Sequence, residues 1–182
     1  VFGKQSNLTP AFKCSGFGLG ELIKDMHNPV GLEIGCDIGD TAQFLLESNP
    51  TLYLYSIDPY ENYVDWNGRP LNEREEVYRR MMERIKVHEL RFELLRKTSD
   101  DAVTFFNNMK FDFIFIDGLH TYKQVLIDCK NYYPKLKKGG LFCGHDFTNI
   151  REVNQAVVEF AKEVGMTEIR LIKQDVWCWF KP

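Results

Sequence analysis

Gly31-Leu32-Glu33-Ile34-Gly35-Cys36-Asp37-Ile38-Gly39-Asp40-Thr41 is the stretch that decides the fold. An apolar run from Val30 to Ile34 ends in a glycine turn, and a helical pattern opens at Asp40. A strand handed to a helix through glycines is the first βα unit of an open α/β sheet. Ligands of such sheets sit in the crevice outside the carboxyl ends of the strands. Gly35 permits a tight turn, and Gly39 lets backbone come close to a ligand. Dinucleotide-binding turns read Gly-x-Gly-x-x-Gly and hold a pyrophosphate on the helix N-terminus. Here Asp37 takes the middle position. A carboxylate is a poor neighbour for a pyrophosphate and a good one for a ligand bearing a cationic amine and a sulfonium.

Outward from this turn the chain alternates strand and helix. Short, fairly continuously apolar runs at Val30–Ile34, Leu52–Ile57, Phe92–Leu95, Phe111–Ile116 and Leu141–Cys143 suit parallel strands covered on both faces. Helical patterns fall between and after them, at Asp40–Glu47, Asn72–Val87, Asp100–Asn108, Tyr122–Tyr133 and Val153–Val164. The last carries Val153, Val157, Phe160, Ala161 and Val164 as one core-facing stripe. Right-handed βαβ units and a largely parallel sheet follow. Glu168–Ile172 and Val176–Phe180 are two strand-like runs with a short connection, so a hairpin closes the sheet and one terminal strand runs antiparallel. The expectation is a doubly wound, Rossmann-like, seven-stranded sheet of order 3-2-1-4-5-7-6, in one domain over residues 1–182. Residues 60–91 exceed a plain connection and carry Tyr60, Tyr63 and Trp66. They read either as a long lead-in to a surface helix or as a cap on the substrate side of the cleft.

Two groups of polar residues fall at strand ends. Asp58 closes the second strand, where a carboxylate can accept hydrogen bonds from both hydroxyls of a ribose. The run Phe111-Asp112-Phe113-Ile114-Phe115-Ile116-Asp117-Gly118-Leu119-His120-Thr121-Tyr122 delivers Asp117 and His120 to the top of the sheet. Gly144-His145-Asp146-Phe147 ends the next strand, so Asp117, His120, His145 and Asp146 converge. A histidine there can take a proton from a hydroxyl nucleophile. Two aspartates, with a histidine, can hold a divalent ion that acidifies the same hydroxyl. Oxygen donors favour Mg or Mn, and added imidazole shifts preference towards transition metals. The structural alternative is that Asp117 and Asp146 cap the helices that follow.

Composition sets the bounds. The sequence is 44% hydrophobic, enough for one buried core, and its net charge of −3 lacks the basic footprint of a nucleic-acid binder. No apolar run approaches the roughly twenty residues that span a bilayer. Five cysteines, Cys14, Cys36, Cys129, Cys143 and Cys178, include no C-x-x-C pair. Free thiols in a reducing, cytoplasmic setting are the simplest expectation.

The segment from Phe113 to Phe147 resembles small class I S-adenosylmethionine-dependent methyltransferases, the group that includes macrocin O-methyltransferase-like and cephalosporin-cluster enzymes. The resemblance rests on Phe115-Ile116-Asp117-Gly118-Leu119-His120-Thr121-Tyr122, then Asp128, then Pro134-Lys135-Leu136-Lys137-Lys138-Gly139-Gly140, then Gly144-His145-Asp146-Phe147. It implies that Glu33, Gly35, Cys36, Asp37 and Gly39 line the methionine part of the cofactor and that Asp58 binds its ribose. Ser99 and Asp100 would lie near the adenine, and Asp117 would border the cofactor. His120 would be the general base beside Asp117, and Asp117, Asp146 and His145 the metal positions, with Mg or another divalent cation. His145 stands where the sugar O-methyltransferase branch tends to carry an acid, which lowers the expected metal affinity. The implied reaction is O-methylation of a sugar or other small-molecule hydroxyl, with neither nucleic acid nor membrane as partner and a homo-oligomer left open. A nicotinamide-dependent oxidoreductase, a catalytically silent cofactor-binding module and a metal hydrolase are the competing readings.

Overall fold

The computed structural model describes residues 16–182. Cys14 lies outside them, and the other four cysteines are buried free thiols. In chain order the elements are α1 (Phe17–Ile23), β1 (Val30–Ile34), α2 (Asp40–Ser48), β2 (Tyr53–Ile57), β3 (Tyr63–Val64), β4 (Pro70–Leu71), α3 (Arg74–Ile85) and β5 (Phe92–Leu95). They continue with α4 (Ser99–Ala102), β6 (Phe111–Ile116), α5 (Tyr122–Tyr132), β7 (Leu136–Gly144), α6 (Arg151–Glu163), β8 (Arg170–Ile172) and β9 (Val176–Phe180).

Seven strands form one sheet of order β5-β2-β1-β6-β7-β9-β8. Leaving out the small β3–β4 hairpin, this is the order 3-2-1-4-5-7-6 expected from the sequence. β5, β2, β1, β6 and β7 are parallel, and β9 runs antiparallel between β7 and β8. The parallel strands are predominantly apolar because both faces are covered. On one face Phe106, Val125, Tyr132, Val153, Phe160, Trp177 and Trp179 join one core cluster. On the other, Leu19 and Ile23 of α1, Leu45 and Leu46 of α2, and Met81 and Ile85 of α3 pack over Phe113, Phe115 and Cys143. Helices α2 and α5, which follow the neighbouring strands β1 and β6, therefore lie on opposite faces. The crevice opens where they diverge.

Several boundaries differ from the sequence reading. The expected helix over Asp100–Asn108 is α-helical only to Ala102 and then tightens into a 3-10 turn, Val103–Phe106. β7 begins five residues earlier than Leu141, with Lys137–Gly140 looping out between the pairs Phe111–Leu136 and Phe113–Leu141. α1 and the β3–β4 hairpin were not foreseen. No helix among the described residues is long and apolar enough to cross a membrane.

Close backbone approach fixes the carboxyl edge of the sheet. A Cβ on Gly144 would sit 2.4 Å from the Trp177 ring and 2.5 Å from the Ile116 carbonyl oxygen. Substituting Gly144→Ala should cost about 2–3 kcal/mol by overpacking. Thermal unfolding should then fall by at least about 5 °C, which calorimetry of the purified variant checks.

Candidate functional site

Five parallel strands end at one edge and surround a cavity of about 860 Å³. Ile34 and Gly35 come from β1, Ile57 and Asp58 from β2, Thr98 to Asp100 from the turn after β5, Asp117 to His120 from the turn after β6, and Asp146 from the turn after β7. The segment containing β3 and β4 closes the far side with Tyr63, Trp66, Arg69 and Arg74.

The glycine turn is built by backbone. Gly35 has φ +92°, and a Cβ there would lie 2.1 Å from the Asp117 carbonyl oxygen. Only glycine lets the ends of β1 and β6 meet this closely. Gly35 N–H donates to the Ile57 carbonyl at 2.8 Å, and Asp117 N–H donates to the Ile34 carbonyl at 2.8 Å. Asp58 clamps the turn: its Oδ2 accepts from the backbone N–H groups of Cys36 (3.2 Å) and Asp37 (3.0 Å), and its Oδ1 from that of Tyr60 (2.9 Å).

Of the residues expected at the cofactor, Gly35, Asp37, Asp58, Ser99, Asp100 and Asp117 line the cavity. Glu33, Cys36 and Gly39 do not. Glu33 is fully buried behind the turn, where its Oε2 accepts from the Ser56 hydroxyl at 2.6 Å and its Oε1 has no partner. Burial pushes its carboxyl up to about 8, opposed by the Ser56 hydrogen bond and reinforced by the nearby Asp117. The Cys36 side chain joins the core on the α2 face. Gly39 faces α3, since a Cβ there would lie 2.9 Å from Met81 Cγ; its left-handed φ of 78° serves the start of α2. Tyr60, expected in the cleft with Tyr63 and Trp66, is buried instead, with its hydroxyl donating to the Asp37 carbonyl at 2.7 Å.

Arg74 went unnoticed in the sequence. Its guanidinium is buried, 2.6 Å from Asp37 and 3.6 Å from Asp58, against the rings of Tyr60 and Tyr63. The charge of Asp37 is thus offset from within the chain. Nothing local in the highly charged α3 sequence singles out this arginine. Gln124 and Asp128 of α5 were equally unassigned. Gln124 Nε2 reaches Ser99 Oγ (3.2 Å), Asp100 Oδ1 (3.3 Å) and Asp128 Oδ1 (3.1 Å). Burial pushes the Asp128 carboxyl up to about 7, against hydrogen bonds from Ser99 and Gln124.

The second constellation assembles around His120. Its Nε2 lies 3.2 Å from Asp117 Oδ1 and 3.2 Å from Asp146 Oδ2. Burial works to lower the His120 pKa, but the hydrogen bond and charge of Asp117 and the charge of Asp146 prevail and hold it above the ordinary value. Burial would likewise raise Asp146; His145 and His120 overcome it and hold that carboxyl low. Neither aspartate caps a helix. Thr121 caps α5, and α6 has no side-chain cap. Ligand atoms of Asp117, His120 and Asp146 lie within 4.8 Å of one another, a group able to hold a metal ion. His145 was expected in that set. Its Nδ1 contacts Asp146 Oδ1 at 3.3 Å and Asp117 only at 3.8 Å, so His120 takes its place.

A family described as a methyltransferase domain matches residues 32–147. The chain belongs to this methyltransferase family. The match begins in β1 and ends just past Asp146, so it holds both halves of the site. The fold is shared with the O-methyltransferase NovP, at 15% identity and a TM-score of 0.69 over 92% of this chain and 77% of that one. It is shared also with an O-methyltransferase from Bacillus cereus solved in complex with SAH, at 15% identity and a TM-score of 0.64 over 92% and 80%. A protein from Sinorhizobium fredii, named uncharacterized protein y4gI, is 32% identical over 91 residues. That stretch is 50% of this chain and 10% of that protein, so the chain spans a small fraction of the curated relative it matches.

Glu33 gives this site a pH signature. Its carboxyl is protonated in the folded protein up to about pH 8, and in the unfolded chain only up to about 4.5. Between those values the folded state holds the extra proton, so this group's contribution to stability falls as pH rises, by up to about 1.4 kcal/mol per pH unit. Denaturant titrations of the wild type should show stability declining between pH 5 and pH 8, and Glu33→Gln should flatten that decline. An unchanged slope would show that Glu33 is ionised in the fold.

Proposed function

We propose that this chain is an S-adenosylmethionine-dependent methyltransferase that transfers a methyl group to a hydroxyl of a small molecule, sugars included. The observation that carries this reading is His120 Nε2 at 3.2 Å from both Asp117 and Asp146, within the cavity that Gly35, Asp58 and Ser99 also line. The sulfonium methyl is electrophilic already, so the protein's main tasks are alignment and proton removal. Asp58 retains acceptor capacity on Oδ1 for a ribose hydroxyl. Asp117 supplies negative charge near the sulfonium and amine, while the Asp37 charge is already paired with Arg74. Ser99, Asp100, Gln124 and Asp128 offer polar groups for the adenine.

His120 takes the acceptor's hydroxyl proton on Nδ1, because Nε2 faces two carboxylates that only accept and so carries the ring proton. The two carboxylates raise its basicity and stabilise the imidazolium that forms, as a base–carboxylate pair does elsewhere. Residues 61–74 act as a cap, with Tyr63 and Trp66 presenting exposed rings to the acceptor, while the rest of α3 packs against the sheet. The competing oxidoreductase reading loses ground because the methyltransferase family match covers residues 32–147, both halves of the site included.

A second reading is favoured by the compact Asp117–His120–Asp146 group, whose two carboxylates and imidazole suit a divalent cation. A bound Mg or Mn would supply Lewis-acid lowering of the hydroxyl pKa. Those three residues would hold it, and His120 would then serve as a ligand, with another group taking the hydroxyl proton.

Calorimetric titration of S-adenosylhomocysteine with and without Mg should give micromolar binding. Absence of binding in both conditions, with nicotinamide cofactor bound instead, would overturn the assignment. His120→Ala should lower turnover by about 10²–10⁴-fold while leaving S-adenosylhomocysteine affinity within a few-fold. Asp58→Asn should weaken that affinity by roughly 10- to 100-fold. If His120→Ala instead abolishes cofactor binding, His120 is structural.

A further inference from the structure

We infer that Asp175, at the foot of the C-terminal hairpin and beyond the family-matched residues, is a positioning residue for Asp146. The inference rests on the role proposed above for the His120 site. Asp146 is not set by its own strand: β7 ends at Gly144, and Asp146 sits two residues later with a left-handed φ of 59°. A non-glycine residue holds that conformation only where its surroundings over-determine it. The surroundings come from the hairpin. Asp175 Oδ1 accepts from the Thr148 N–H (2.9 Å) and hydroxyl (2.7 Å), and Oδ2 from the N–H groups of Thr148 (3.1 Å) and Asn149 (3.2 Å).

Asn149 passes the constraint on. Its side-chain amide reaches Asp146 Oδ1 at 3.5 Å, and it lines the cavity. Trp177, two residues after Asp175, donates from Nε1 to the His145 carbonyl at 3.2 Å, and the Ile150 N–H donates to the Asp146 carbonyl at 3.1 Å. The turn from His145 to Ile150 is thus pinned on both sides of Asp146. Asp175 itself has φ 61°, left-handed again, so both ends of the contact are unusual backbone held in register. The remaining Asp146 oxygen, Oδ2, is the one that meets His120. Loss of the Asp175 carboxylate frees the turn and blurs the geometry of that contact without touching the glycine turn or Asp58.

The test compares wild type with Asp175→Ala and Asp175→Asn by three readouts: S-adenosylhomocysteine affinity, Mn²⁺ affinity by electron paramagnetic resonance, and the NMR signals of the Asp146 backbone and the Asn149 side-chain amide. Asp175→Ala should bind S-adenosylhomocysteine within about twofold of wild type, which shows an intact fold. Its Mn²⁺ affinity should drop by about 10–100-fold, as for loss of a group that orients a metal ligand. The Asp146 and Asn149 signals should shift or broaden. Asp175→Asn, keeping one acceptor oxygen, should fall between the two. Wild-type Mn²⁺ affinity in Asp175→Ala, or Asp146 and Asn149 signals unmoved, would overturn the inference. A wild type that binds S-adenosylhomocysteine but no Mn²⁺ removes only the metal reading, and the NMR signals then decide.

Discussion

The backbone of β1 and the backbone of β6 touch where both strands end. Gly35 has no Cβ, so the Asp117 carbonyl comes to where that atom would be. That contact places the start of the glycine turn beside the start of the Asp117–His120 turn. It also lies where the chain winds in opposite directions, α2 to one face and α5 to the other. Without the close approach the two strands could still pair lower down, through Gly31–Phe113 and Leu32–Ile114. The two functional halves would then stand apart, and no cavity would join Asp58 to His120.

Electrostatics is arranged around the same edge. Carboxyl groups crowd the cavity and the turn behind it, and they are managed in different ways. Asp58 is occupied by backbone N–H groups and by Arg74. Asp37 is paired with the buried Arg74. Glu33 and Asp128 are buried and hold their protons more tightly than free carboxyls. Asp117 and Asp146 share His120.

Much of this was legible in the chain. The strand at Phe111–Ile116 is apolar but for Asp112, and its β-branched and aromatic residues leave little room for another reading. The glycine turn announced itself because a strand, two glycines and a helix start follow in a short span. The C-terminal hairpin was visible from two apolar runs with too few residues between them for a crossover. α1 was invisible because Phe17–Ile23 contains Gly18 and Gly20, which disfavour a helix on their own. Packing overrides that cost: side chains at those positions would collide with Lys173 and Phe44, so the helix lies close because it is bare there. The β3–β4 hairpin carries an Asn67–Gly68 turn signal, but its strands are two residues each and give no period to read.

By itself the sequence determined the sheet, its order, and the strand ends that carry Asp58, Asp117, His120 and Asp146, because periodicity and glycine placement are local properties of the chain. Only the tertiary structure decided which neighbours those groups meet. It turned Glu33, Cys36 and Gly39 away from the cavity and set His120 nearer than His145 to Asp117, at 3.2 Å against 3.8 Å. It brought Arg74 onto Asp37 from thirty-seven positions away and Asp175 onto the Asp146 turn. Such contacts depend on where a side chain points after strands have paired and helices have docked, and residue spacing alone carries no record of that direction.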